Sequence, residues 1–241
     1  MLRRKLLLTL VTVALALPLV FCTIIPTPTP ETVYVEQTVE VEVTREVLVT
    51  PTPTVTPIRT VLFQDDLTVD DGNWDLNDTE NTERSIANGQ YIMEIKTAGI
   101  TAWGGHSSLE SLGDFILDVD LTKLDGPDNN EFGIMFRYIS GDNHYRLALG
   151  SDGYFRIYGK EEDEFFYIIS WVPIPEVNQG NTTNHLRLVA EGNQFTVYLN
   201  GEMVAKVLDR RFESGAIAPY ARAYDDPGVL IGFDNFMVTT P

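Results

Sequence analysis

From Val61 to the C-terminus the chain is interrupted every few residues by a turn dipeptide, and the segments between the turns are rich in Val, Ile, Phe and Tyr. Asn88-Gly89, Asp152-Gly153 and Asn200-Gly201 each separate two such segments, and Gly192-Asn193 does so in the reverse order. These pairs supply the positive φ angles of a two-residue hairpin turn, whose twist matches the twist of the flanking strands. The segments are short and alternate with period two, which is the pattern of strands and not of helices. About a dozen strands at this spacing predict an antiparallel β-sandwich or barrel.

The alternation assigns faces. In Phe115–Leu121 the residues Phe115, Leu117, Val119 and Leu121 form an apolar side, with Asp118 and Asp120 opposite. Phe132, Ile134, Phe136 and Tyr138 oppose Gly133, Met135 and Arg137. In the next run Tyr145, Leu147 and Leu149 oppose His144, Arg146 and Ala148. After it Phe155 and Ile157 oppose Tyr154, Arg156 and Tyr158. All three arginines of the stretch Glu131–Gly159 thus fall on the side away from the apolar set. If these strands are neighbours, one face carries Asp118, Asp120, Arg137, His144, Arg146, Tyr154, Arg156 and Tyr158.

The N-terminal quarter is different in kind. Arg3, Arg4 and Lys5 precede the apolar run Leu6–Phe21, the pattern of a secretory signal. Cys22, the only cysteine, follows directly, as in a bacterial lipoprotein signal where the cysteine is lipidated. Leu19 fits that pattern, whereas Phe21 stands where a small residue is usual. An uncleaved anchor over Leu6–Ile25 and plain secretion are the alternatives, since about 20 apolar residues span a bilayer. Each of the three places the rest of the chain outside the cytoplasm. Residues 1–22 are read as signal or anchor helix. Residues 23–60 hold two Thr-Pro tracts around a Val/Glu alternation and are read as an extended stalk. Residues 61–241 are ample for one domain. With a single cysteine no internal disulfide is available, so stability must come from the core.

The charge lies entirely in that domain. Residues 1–60 are neutral overall, and residues 61–241 carry the whole net charge of −18. Such a domain repels nucleic acid and anionic lipid, which excludes both as partners of the domain. Solubility outside the cell accounts for the charge, and binding of cations or of neutral, hydroxyl-rich ligands is compatible with it.

The order "FQDDL", "NGQYIMEI", "FGIMFRYISGDNHYRLALGSDGYFRIYG", "NHLRLVAEGNQFTVYLNGEMV", "GFDNFMV" resembles the concanavalin A-like lectin/glucanase superfamily. Within it, the run is similar to laminin-G-like and 3-keto-disaccharide-hydrolase-like domains of bacterial surface proteins. The resemblance implies a two-sheet jelly-roll sandwich over roughly residues 61–240, with an outer groove that binds a glycan or a cell-envelope polysaccharide. The mixed face named above is then the candidate ligand site, with Trp171, Trp103 and Tyr145 as further ring sources for sugar stacking. The resemblance also implies a possible calcium ion where the first and last strands meet, with Asp66 and Asp234 as ligands. Glucanase relatives carry a Glu-x-Asp-x-Glu type pattern. Here only Asp118 and Asp120 stand at i, i+2, which disfavours catalysis. Three functions follow in order: a membrane-tethered carbohydrate-binding or adhesion module, a glycoside hydrolase, and a structural envelope module without a small ligand.

Overall fold

A computed structural model describes residues 59–241. The expectations for the signal or anchor, for Cys22 and for the stalk lie outside the described residues. The described chain is nearly all strand, broken by one short 3-10 turn at Ser107–Leu109. In chain order the strands are β1 (Val61–Asp65), β2 (Asn77–Asp78), β3 (Thr82–Ala87), β4 (Gln90–Ile95), β5 (Thr101–Trp103), β6 (Phe115–Asp125), β7 (Asn130–Ser140) and β8 (Asn143–Leu149). They continue as β9 (Tyr154–Glu161), β10 (Glu164–Pro173), β11 (Thr183–Glu191), β12 (Gln194–Leu199), β13 (Glu202–Leu208), β14 (Ala216–Ala223) and β15 (Val229–Thr239).

Two antiparallel sheets result. The larger has nine strands in the order β13-β12-β11-β6-β15-β4-β3-β2, with β1 added along β15. The smaller has six, in the order β10-β9-β8-β7-β14-β5. Three of the four turn pairs join strands as two-residue turns, and Asp152-Gly153 ends a four-residue loop between β8 and β9. Asn88 and Gly89 join β3 to β4 with φ of 54° and 74°, and Asn200 and Gly201 join β12 to β13 with 52° and 92°. Two successive positive φ values are the signature of the tight turn that suits sheet twist. The first and last strands do meet, with Asp65 opposite Phe236.

The core lies between the sheets and uses the apolar sides read from the sequence. Phe115, Leu117, Val119 and Leu121 are fully buried and face Phe132, Ile134, Phe136, Leu147, Leu149, Phe155 and Ile157 across the sandwich. Each such side chain contributes about 1.5–3 kcal/mol on leaving water, which is how the fold dispenses with disulfides. Trp74, outside the regular strands, joins this core against Tyr91, His106 and Phe236, and its indole N–H donates to Asp65 at 2.8 Å.

Four side chains sit elsewhere than the sequence predicts. Asp118 and Asp120 belong to β6, which lies in the nine-stranded sheet between β11 and β15, so they do not share a face with His144, Arg146, Tyr154, Arg156 and Tyr158 on β8 and β9. Arg137 leaves its expected side because the β7–β8 register slips between Phe136 and Ser140. Its φ is +46°, and the side chain turns to the end of the sandwich, 1% exposed. There its guanidinium stands 5.0 Å from the Phe195 ring and donates to the Phe212 carbonyl at 2.8 Å. Tyr145 is a core residue and not a surface ring: it is fully buried and its hydroxyl donates to Asp209 at 2.6 Å.

Candidate ligand site on the six-stranded sheet

Directly opposite residues in antiparallel strands point to the same side of a sheet. The outer face of the small sheet can therefore be followed strand by strand. One row runs Trp103, Tyr220, Gly133, Ala148, Arg156 across β5, β14, β7, β8 and β9. A parallel row runs Ala218, Met135, Arg146, Tyr158, Tyr167 from β14 to β10. Glu131 and Arg222 face each other one step further along β7 and β14. The centre of the face is built from Gly133, Ala148, Met135 and Ala218, and the large neighbours fold over these small positions.

What holds those large residues is a buried carboxylate. Glu131 is fully buried. Its Oε1 accepts from the Tyr158 hydroxyl at 2.5 Å and from the Tyr220 hydroxyl at 2.6 Å. Its Oε2 accepts from Arg156 Nη2 at 2.5 Å and from the Tyr224 hydroxyl. Burial alone would raise the Glu131 pKa, but the Arg156 charge and the three hydroxyls outweigh it and hold the group below its ordinary value. Burial also pushes the Tyr158 phenol up to about 12, so it stays protonated and donates. From Tyr158 the network continues: Arg146 Nη1 donates to its hydroxyl at 3.1 Å, and Arg146 Nε donates to His144 Nε2 at 2.9 Å. His144 Nδ1 then donates to the Ser140 carbonyl at 3.1 Å. This arrangement requires a neutral imidazole. Burial first, and then the Arg146 charge, bring the His144 pKa down to about 4.

Beside the network a cavity of about 500 Å³ opens. One wall is strand β10, which presents Phe165, Tyr167 and Trp171. The floor is Tyr154, Arg156 and Tyr158, and the opposite side is Arg222 and Tyr224. The Arg156 guanidinium is held between two rings, 3.7 Å from the Tyr158 centre and 4.4 Å from that of Trp171. Polar side chains from the turns complete the rim: Asn129, Asp152 and Asp225, with Asn129 donating to Asp225 at 2.6 Å. Among the described residues four buried side-chain nitrogens find no acceptor, and two of them, Arg156 Nε and Arg222 Nε, belong to side chains that line this cavity. Buried donors are normally paired, and both guanidinium groups belong to the lining of this cavity.

Of the sequence-derived site residues, Tyr154, Arg156, Tyr158 and Trp171 line the cavity, and His144 and Arg146 stand behind it. Asp118, Asp120 and Arg137 are not part of it. On the outer face of the nine-stranded sheet, Asp118 accepts from Arg187 at 2.7 and 3.2 Å, and Asp120 pairs with His185 at 2.7 Å. The two carboxylates are thus engaged by Arg187 and His185 away from the cavity. Phe165, Tyr167, Arg222, Tyr224, Asp152 and Asp225 were not singled out in the sequence. The alternation of Phe165 and Tyr167 with Phe166 and Ile168 along β10 is a legible signal, but the approach of Tyr224 to Arg156 has none.

Asp66 is engaged by the Thr68 amide and hydroxyl, and Asp234 by the Asn235 amide. Among the described residues no group of three or more His, Cys, Asp or Glu side chains is placed to hold a metal ion.

Neither a family model nor a curated protein matches the sequence. The architecture, two antiparallel sheets packed as a sandwich, is shared with several solved structures. The carbohydrate-binding module CBM66 from Bacillus subtilis superposes with a TM-score of 0.51 at 19% identity, over 76% of this chain and 95% of that one. A protein of unknown function with a galectin-like fold, also from Bacillus subtilis, gives 0.56 at 10% identity over 75% and 96%. A GlcNAcα1-4Gal-releasing endo-β-galactosidase from Clostridium perfringens gives 0.53 at 11% identity over 76% and 63%. At such identities the likeness is one of fold.

Proposed function

We propose that the chain is a carbohydrate-binding module held outside the cytoplasm by its N-terminus, and that the cavity beside β10 takes a neutral, hydroxyl-rich unit. The observation that carries this reading is the composition of that cavity. Trp171 and Tyr167 offer ring faces, Arg156 and Arg222 offer guanidinium groups, and Asp152 and Asp225 offer acceptors. A ring sugar has apolar C–H faces and hydroxyls that both donate and accept, which is what such a lining satisfies. The charge balance favours a neutral ligand. Arg156 is already compensated by Glu131, the rim carries two carboxylates, and the domain is strongly acidic. The fold shared with a carbohydrate-binding module and with a galactosidase supports the reading at the level of carbohydrate.

The N-terminal sequence supports tethering: a basic start, an apolar run and Cys22, followed by a Thr/Pro-rich stretch long enough to lift the domain from a membrane. Whether the tether is a lipid on Cys22 or an uncleaved helix is decided by mass spectrometry of the N-terminal peptide.

A glycan array probed with the full chain and with Trp171→Ala tests the binding reading. Neutral glycans retained by the first and lost by the second are the expected result, and no retention of any glycan by the wild-type chain overturns it. The two rim carboxylates keep a second reading open, a glycoside hydrolase acting through Asp152 and Asp225. It requires release of reducing ends from a bound glycan, lost in Asp225→Asn.

A further inference from the structure

The same sheet face carries a second cavity at its opposite edge. Its volume is about 310 Å³, and it opens between β5, the end of β7 and the start of β14. Trp103 forms one wall at 39% exposure, Tyr138 another, and Ser107 and Glu110 supply a hydroxyl and a carboxylate. Its back is the backbone of Gly104 and Gly105, and neither position has room for a side chain. A Cβ on Gly104 would lie 2.6 Å from the Tyr91 hydroxyl, and one on Gly105 would lie 2.9 Å from the Ile217 carbonyl oxygen. The loop is therefore pressed against the sandwich and leaves the space beside Trp103 open.

Trp103 is in register with Tyr220, in the row that leads across the sheet to Arg156. The two cavities are thus ends of one surface. Between them lie Tyr220, Met135, Ala148 and Arg146, none more than 7% exposed, fixed by packing and by the Glu131 network. From β10 to β5 there are five strand steps, about 24 Å at the usual inter-strand spacing. No single sugar unit reaches both ends.

We infer that the Trp103 cavity is a second subsite, and that the ligand is an oligosaccharide chain lying across the six-stranded sheet with one unit in each cavity. This rests on the carbohydrate-binding reading of the first cavity. The lining has the same chemistry at both ends: an indole, exposed at Trp103 and half-buried at Trp171, a tyrosine and a carboxylate. The occupant of the second cavity is a distal unit of the chain already held in the first. Its contribution is local concentration: once one unit is bound, the next encounter is intramolecular.

The test is isothermal titration of the full chain with ladders of neutral gluco-, galacto-, manno-, xylo- and fructo-oligosaccharides, from the single unit to the octasaccharide. In the ladder that binds, affinity rises with length until both cavities are reached. Trp103→Ala removes that rise, weakening the octasaccharide roughly tenfold, as expected for the loss of one stacked ring, and leaves the single unit unchanged. Glu110→Gln gives a smaller loss with the same length dependence. Trp171→Ala weakens every length. Affinity that is independent of length, or a Trp103→Ala chain that binds the octasaccharide as wild type does, overturns the second subsite and leaves the first reading standing. Failure of the wild-type chain to bind any member of any ladder overturns both.

Discussion

Arg156 and Glu131 form a buried ion pair, Nη2 to Oε2 at 2.5 Å, on the outer face of a sheet where solvent would be expected. The pair converts a water-facing surface into an ordered floor: the carboxylate binds three phenols, and the guanidinium lies between two rings. A charge so placed is costly unless fully partnered. Removing one partner therefore exposes the cost.

Glu131→Ala is expected to destabilise the domain by about 3–5 kcal/mol, because it strands the Arg156 charge and three buried hydroxyls. Equilibrium urea unfolding measures it. Tyr224→Phe, which removes one donor of the four, should cost about 1 kcal/mol. A Glu131→Ala protein as stable as wild type would show that the network is solvent-filled and not a floor.

Trp171→Ala and Arg156→Ala should separate binding from folding in different ways. Trp171 lies at the cavity wall on an edge strand, so its loss should weaken glycan binding by roughly tenfold or more with a small change in stability. Arg156→Ala should do both, since it also leaves Glu131 without its counter-charge. Calorimetric melting alongside glycan titration distinguishes them.

Arg137→Ala should lower stability by about 1–3 kcal/mol and leave glycan affinity unchanged. The side chain caps the end of the sandwich, donating to the Phe212 carbonyl, and lies away from the cavity. A loss of affinity at unchanged stability would return Arg137 to the binding face.

Acid should weaken the fold in two stages. His144 is neutral in the folded chain, with its pKa down at about 4 against an ordinary 6.5, first through burial and then through Arg146. Between these values the unfolded chain holds the extra proton, so stability falls as pH drops from 6.5 towards 4 and this contribution levels off below. The full loss is on the order of 3 kcal/mol. Glu131, held below its ordinary 4.5, acts in the same direction only below about pH 4.5, as it is forced to protonate. Urea unfolding between pH 5 and 6.5 therefore isolates the histidine. His144→Gln should flatten the slope there, and an unchanged slope would assign the effect elsewhere.

The strands themselves were legible because their signals are local. Asn-Gly turns dictate hairpins, and period-two alternation dictates which side of each strand is apolar. Phe115, Leu117, Val119, Leu121, Leu147 and Ile157 are buried as read. The site was legible as far as neighbouring hairpin strands carried it: His144, Arg146, Tyr154, Arg156 and Tyr158 come from β8 and β9, which are consecutive and paired. Trp171 on β10 extends the same hairpin order.

What failed were inferences across non-consecutive elements. Asp118 and Asp120 have the right alternation but the wrong sheet, because β6 pairs with β11 and β15 instead of β7. Arg137 has the right parity but lies in a register slip, where β7 gains one residue against β14, and one extra residue turns a side chain to the opposite side. Glu131, which organises the floor, reads in sequence as an ordinary charged residue at a strand start. Its role appears only when β14 and β9 bring Tyr220, Tyr224, Tyr158 and Arg156 around it. The sequence by itself determined strands, turns, apolar sides and the acidic character of the domain, since each depends on residues close together in the chain. The tertiary structure alone decided which polar side chains share a face and where a cavity opens, since strand order and register are set by the packing of the whole sandwich.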